Sequence, residues 1–179
     1  MAAERTAARL RLAILALGCW LASAAVAAAQ SVPDQALHQA ARTNDVELAE
    51  FALQRGAALE VRDPVGNTPL QVCAMYGSPA VATLLLERGA DVAARTPDDD
   101  WTALHYAAYE GHDRVAEALV AAGAPLDARE GDYGNAPLHL AARRLKRPVV
   151  AVLLAAGAEI DARDRRDGNT PLINAAFAP

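Results

Sequence analysis

One leucine returns along this chain at a nearly fixed interval. Leu37, Leu70, Leu104, Leu138 and Leu172 recur every 33 or 34 residues. A Gly-Ala pair keeps step with them, at Gly56-Ala57, Gly89-Ala90, Gly123-Ala124 and Gly157-Ala158, always 19 residues from leucine to glycine. Only the segment from Gly-Ala to the next leucine varies, by one residue. A rigid unit joined by an adjustable loop gives that pattern. Such a repeat cannot bury its apolar face alone and must stack on its neighbours. Composition fits thin stacked helices: 53% of residues are apolar but only 4% aromatic, and small side chains let helix axes approach within about 8–10 Å. The length therefore reads as one elongated domain.

The stretch around each leucine carries a motif. It is fullest in Thr102-Ala103-Leu104-His105-Tyr106-Ala107-Ala108, and it returns as Thr68-Pro69-Leu70-Gln71-Val72-Cys73-Ala74, Ala136-Pro137-Leu138-His139-Leu140-Ala141-Ala142 and Thr170-Pro171-Leu172. A degenerate copy, Ala36-Leu37-His38-Gln39-Ala40-Ala41, precedes them. The chain resembles the ankyrin repeat, with its period of about 33 residues and its Thr-Pro-Leu-His-x-Ala core. The resemblance covers nearly everything after residue 33. It implies an all-α solenoid of stacked helix-turn-helix pairs joined by β-hairpin fingers, with about four complete repeats and the first helix of a fifth.

Residues 1–29 stand apart from the array. Arg5, Arg9 and Arg11 precede an apolar run from Leu12 to Val26, and Ala27-Ala28-Ala29 offers small residues before Gln30. That is the layout of a secretory signal peptide, with 30–179 as the ankyrin-repeat domain. The other reading keeps residues 12–29 as an anchor, since about 18 apolar residues reach the lower limit for a spanning helix. Leu17-Gly18-Cys19 suggests a lipoprotein, but Ala16 occupies the position where a leucine is wanted. Cleavage after Ala29 removes three arginines and Glu4, takes the formal net charge from −5 to −7, and leaves Cys73 as the remaining thiol. One cysteine cannot close an internal disulfide, which suits export to a periplasmic or secreted location.

Local chemistry places the helix ends. Thr68, Thr102 and Thr170 are expected N-caps, with Pro69 and Pro171 in the first helical position. Asp34 is the expected cap of the first helix. Asn44, Gly77 and Gly111 occupy one column, where a left-handed residue ends each first helix. Leu145 has replaced that glycine in the fourth repeat, and Ala136 has lost the cap. Second helices carry apolar stripes: Leu48, Phe51 and Ala52; Val81, Leu84 and Leu85; Val115, Ala118 and Leu119; Val149, Val152 and Leu153. The fingers lie at 61–67, 95–101, 129–135 and 163–169, with Gly66, Asp100, Gly134 and Gly168 at the turn position needing positive φ.

No catalytic or metal chemistry assembles. His38, His105 and His139 share one column, one repeat apart. Metal ligands must each reach about 2.0–2.1 Å from one ion, whereas packed helices stand roughly 8–10 Å apart. The resemblance implies instead that these histidines tie neighbouring repeats together through backbone hydrogen bonds, and that His112 is structural. Cys73 sits in an alanine column, a buried and inert place for a thiol. Asp98-Asp99-Asp100 lacks the spaced ligands and distant Glu of a calcium loop. There is no Gly-rich phosphate loop and no nucleophile–base pair. Neither a cofactor nor a nucleic-acid partner is implied by an acidic chain.

The resemblance implies a non-catalytic protein-binding module that works as a monomer, without membrane contact once the leader is gone. Its partner, another protein, would meet the hairpin fingertips and the exposed ends of first helices. Those positions hold Met75, Tyr76, Trp101, Tyr109, Glu110, Tyr133, Arg143, Arg144, Arg165 and Arg166. Aromatics and arginines dominate interface energetics. The middle of this strip reads as aromatic and acidic, its C-terminal end as basic. Tyr106 reads as packing. Trp101 stands where other fingers have Asn67, Asn135 and Asn169, so packing does not call for an indole there.

Overall fold

A computed structural model describes residues 32–131 and 133–177. The leader or anchor expected over 1–29 lies outside them. No described helix is long and apolar enough to cross a membrane. The described chain folds into helix pairs: α1 over 32–43 with α2 (Val46–Gln54), α3 (Pro69–Tyr76) with α4 (Pro79–Glu87), α5 (Ala103–Glu110) with α6 (Asp113–Ala121), and α7 (Pro137–Arg143) with α8 (Arg147–Ala155). α9 (Pro171–Ala176) follows. First helices α3, α5, α7 and α9 pack in succession as one layer, and second helices α2, α4, α6 and α8 as the other.

The core runs continuously between the layers. Leu37, Leu70, Leu104 and Leu138 are at most 2% exposed, and Val81, Val115, Val149 and Leu85, Leu119, Leu153 fill the second-helix side. The stripe expected in α2 is shifted: Ala49 and Ala52 are buried, while Phe51 is 51% exposed with Arg55 lying 5.0 Å over its ring. Small alanines on the buried side let α2 sit close to α4, so the phenyl ring faces outward. In the third repeat Ala116, rather than Ala118, joins Val115 and Leu119 in the core.

Helix ends follow side-chain chemistry. Thr68 and Gln71 form a reciprocal capping box: the Thr68 N–H donates to Gln71 Oε1 at 2.8 Å. Thr102 and Thr170 are also N-caps. Ala136 has no hydroxyl, yet half of the box survives, because its N–H donates to His139 Nδ1 at 3.2 Å. Asp34 is not a cap. The described helix already begins at residue 32, with Pro33 in its first turn, where a missing N–H costs nothing. Its carboxylate instead accepts from the Ala58 N–H at 3.1 Å.

Every position expected to need positive φ has it. Gly77 and Gly111 are left-handed, and so are Asn44 (φ 55°) and Leu145 (φ 54°) in the same column. Asn44 also contributes outside its own helix: its Oδ1 accepts from Ala80 and Val81, capping α4 of the next repeat. Asp100 (φ 56°) turns the third finger. The fingers are hairpin-shaped turns rather than strands. Backbone bonds close them, from Asp63 to Asn67, Thr96 to Trp101, Glu130 to Asn135 and Asp164 to Asn169, and no strand forms among the described residues.

Candidate binding surface

Side chains from one repeat latch onto the finger backbone of the next. His38 Nε2 lies 3.1 Å from the Asn67 carbonyl, His105 Nε2 3.2 Å from that of Asn135, and His139 Nε2 3.2 Å from that of Asn169. In His105, Nδ1 accepts the Thr102 N–H, so the proton sits on Nε2 and is donated onward. Gln71 performs the same task in the second repeat, donating Nε2 to the carbonyls of Ala94 and Trp101 at 3.0 and 2.9 Å. Burial pushes the His105 pKa down to about 4, against the raising effect of the Asn135 and Ala128 carbonyls. Burial lowers His139 as well.

A second set of latches escaped the sequence reading. Arg62, Arg95, Arg129 and Arg163 share one column. Each braces its own finger by donating to a carbonyl there, that of Gly66, Asp100, Gly134 or Gly168. Each of the first three also reaches the next rung: Arg62 to the Arg95 carbonyl at 3.0 Å, Arg95 to Arg129 at 2.8 Å, Arg129 to Arg163 at 2.7 Å. Their regular spacing was visible, but an exposed arginine reads as a solvated charge until the finger geometry is known.

Inside the fingers, Asp63, Thr96, Glu130 and Asp164 share a further column and accept finger amides. Glu130 is a buried carboxylate that takes Asn135 Nδ2 at 2.7 Å and, from the neighbouring finger, Trp101 Nε1 at 3.3 Å. Burial alone would raise Asp164, yet amides of Asp167, Asn169 and Gly168 and the nearby His139 outweigh it and hold the carboxyl below its usual range.

These latches position the strip. The Trp101 ring stands 4.9 Å from Tyr106 and 5.5 Å, edge-on, from Tyr109. Arg144 lies 4.4 Å over Tyr109, Arg166 lies 4.8 Å over Tyr133, and Arg42 lies 5.9 Å over Tyr76. The Arg165 N–H donates to the Tyr133 carbonyl. The expected aromatic middle and basic end therefore interleave: Arg144 and Arg166 cover tyrosines of the repeat before, and Arg42 one of the repeat after. Trp101, Tyr109 and Arg144 form one contiguous group; Tyr133, Arg165 and Arg166 form another. Glu110 and Arg143 are exposed at helix ends and make no ion pair among the described residues. Met75 is half-buried, and its carbonyl faces His112 Nε2 at 3.3 Å.

Trp101 is only partly exposed, because the indole packs within its own aromatic group. Tyr106 belongs to the packing, as expected. Its hydroxyl donates to Asn67 Oδ1 at 3.0 Å, and burial, with Asp99 and Asp63 nearby, pushes its pKa up to about 12. Cys73 is fully buried, and burial drives its thiol pKa well above the usual range. Among the described residues no group of His, Cys, Asp or Glu is arranged to hold a metal ion.

Stacked helix pairs with projecting fingers and backbone latches define a helical-repeat binding array. The family model for ankyrin repeats (three copies) matches residues 18–96 and 93–164, and the chain belongs to the ankyrin-repeat family. Ankyrin repeats are protein-interaction modules, generally without catalytic activity of their own. Similar stretches occur in proteins of quite different length. Tyrosine-protein kinase HTK16 of Hydra vulgaris is 35% identical over 74 residues, 41% of this chain and 10% of the kinase. ADP-ribosylation factor GTPase-activating protein AGD2 of Arabidopsis thaliana is 46% identical over 54 residues, 30% of this chain and 7% of that protein. Human protein phosphatase 1 regulatory subunit 27 is 35% identical over 65 residues, 36% of this chain and 42% of the subunit. The chain thus spans less than half of each of these relatives.

Proposed function

We propose that this array is a monomeric, non-catalytic binding module that acts in the periplasm or outside the cell and grips one protein partner along the finger strip. The observation that carries the reading is the contiguous group of Trp101, Tyr109 and Arg144, continued by Tyr133 and Arg166. Stacked cation–aromatic pairs hold both side chains in place before a partner arrives, so less rotamer entropy is lost on binding. The charged n-region, apolar run and Ala27-Ala28-Ala29 support export. A regulatory subunit among the relatives is consistent with a binding role for the array.

Two measurements test this. Intact mass of the exported protein should lack the first 29 residues; retention of Cys19 would move the reading to a membrane-tethered scaffold with 12–29 as its anchor. Affinity capture from an envelope extract should enrich one protein with the wild-type array and lose it with Tyr109→Ala plus Tyr133→Ala. Undiminished capture by that folded double variant would remove the strip from the binding surface.

A further inference from the structure

The turn between α7 and α8 is charged unlike its counterparts. Arg143, Arg144, Lys146 and Arg147 put four cations in five residues, in a chain whose formal net charge is −5. The corresponding turns are Arg42-Thr43-Asn44-Asp45, which balances, Tyr76-Gly77-Ser78-Pro79, which is uncharged, and Glu110-Gly111-His112-Asp113, which is acidic. Helix stability accounts for half of the set. Arg143 lies in the last turn of α7 and Arg144 is its C-cap, where cations suit the negative end of the helix dipole. Lys146 and Arg147 are the N-cap and first residue of α8, at the positive end, with no acidic residue in that first turn. α2 and α6 place Glu47 and Asp113 there. Cations at that end work against the helix, so stability does not explain them.

Among the described residues none of these four cations forms an ion pair. The ladder arginines, by contrast, are engaged by carbonyls inside the stack. Two of the four are nevertheless held in place. Arg144 lies 4.4 Å over Tyr109. The Lys146 stem crosses Gly111 so closely that a Cβ at that glycine would meet Lys146 Cδ at 2.6 Å. Both are seated on the third repeat before a partner arrives, which limits the rotamer entropy lost on binding. Glu110 occupies the Arg144 column one rung earlier, yet the two do not pair, so the row does not neutralise itself along the stack. Glu110 also stays exposed with another repeat stacked after it. That column therefore faces outward whatever follows along the stack.

From this we infer that the α7–α8 turn takes a short segment of the protein partner rich in aspartate and glutamate. The inference deepens the binding-module reading and rests on it. Arg143, Arg144 and Arg147 are exposed, and a guanidinium can hold a carboxylate through two parallel hydrogen bonds. Arg144 joins this turn to Trp101 and Tyr109, so the acidic segment would continue a contact made along the strip. A nucleic acid fits less well. Its backbone is charged at every phosphate, and the rung beside the patch carries Glu110, Asp113 and Glu117, with Asp98, Asp99 and Asp100 in the finger of the same repeat. An anionic membrane surface would meet the same acidic residues. A short acidic segment can end where the cations end.

The test uses the whole protein and a fluorescein-labelled peptide of alternating glutamate and glycine, with a glutamine–glycine peptide of equal length as control. Anisotropy should show saturable binding of the first peptide only, weakening as salt rises. Binding should be at least tenfold weaker with Arg143→Gln plus Arg144→Gln, and unchanged with Arg55→Gln at the exposed end of α2. Arg147→Glu should weaken binding while raising the melting temperature, because it relieves the positive end of α8; that separates docking from loss of fold. Absence of saturable binding, or equal binding by the double arginine variant, would overturn the inference. So would single-stranded DNA or phosphatidylserine vesicles binding as tightly as the peptide, since the patch would then be a general anion surface. Capture from an envelope extract separates this inference from the strip. Capture kept by the arginine variant but lost with Tyr109→Ala plus Tyr133→Ala would overturn the acidic-segment inference and leave the strip standing. Arginine-dependent peptide binding with capture unchanged in the tyrosine variant would support the inference and remove the strip.

Discussion

The two ends of the array solve the same problem differently. The N–H two residues after the Gly-Ala glycine, where that residue is not proline, needs an acceptor. At the N-terminal end Asp34 supplies it from within the repeat, to Ala58. At the C-terminal end Asp161 holds the same kind of acceptor outward, with no donor among the described residues. Gln35 and Gln39 give α1 a polar outer side, whereas the last repeat and α9 expose Leu154, Ile160, Leu172 and, just after α9, Phe177. Repeat proteins are stabilised by each unit and its nearest neighbours, so a terminal repeat with no neighbour on one side depends on its own cap. One end is closed by its own side chain; the other is built like the interior.

The sharpest way to probe that contrast is a matched pair in the leucine column. Leu104→Ala should destabilise the array by about 4 kcal/mol, as for other fully buried leucines. Leu172→Ala should cost less than about 0.5 kcal/mol, the usual range for an exposed site. Urea denaturation of both variants decides it, and similar losses would mean that the C-terminal end is covered.

Acid should act unevenly along the stack. His105 is neutral when folded, with its pKa depressed from 6.5 to about 4. The unfolded chain therefore binds a proton first, and stability present above pH 6.5 is lost as pH falls toward 4. The full effect of such a shift is on the order of 3 kcal/mol. His139 adds to it in the same direction. The latch from the second repeat uses Gln71, which does not titrate. Stability measured from pH 7 to 4.5 should fall less steeply in His105→Gln than in wild type. Equal slopes would show that this histidine does not couple protonation to the stack.

Smaller effects sharpen the comparison. Asp34→Ala leaves the Ala58 N–H without its acceptor and should cost about 1 kcal/mol, while Asp161→Ala should change stability by much less. Leu145→Gly should stabilise by about 1 kcal/mol, since glycine tolerates the left-handed conformation that strains leucine. Equilibrium denaturation of the three variants is sufficient. A loss for Asp161→Ala equal to that for Asp34→Ala would erase the distinction between the ends.

Much of this architecture was legible in the sequence because its causes are local. Caps depend on one hydroxyl, as at Thr68, and left-handed turns on one residue, so Asn44, Asp100 and Leu145 could be located from column position alone. The arginine ladder was not recognised, because its bonds run to carbonyls whose direction is set by the finger turn. Asp34 was misread as a cap because its partner, Ala58, is 24 residues away. Phe51 was misread because alanines can fill a close helix contact by themselves. In the strip, the residue types were legible but the pairing was not: Arg144 over Tyr109 and Arg166 over Tyr133 depend on the offset between adjacent repeats. Trp101 is the clearest case, since its Glu130 partner sits on the neighbouring finger.

Native-state amide hydrogen exchange, resolved by residue, tests the contrast between the ends most directly. Protection should be highest in α3 to α6, close to that level in α2 behind the Asp34–Ala58 bond, and lowest from residue 136 onward, so that the C-terminal repeats open first. Uniform protection along the stack, or a first repeat that opens before α8 and α9, would contradict the contrast between the first and last described repeats.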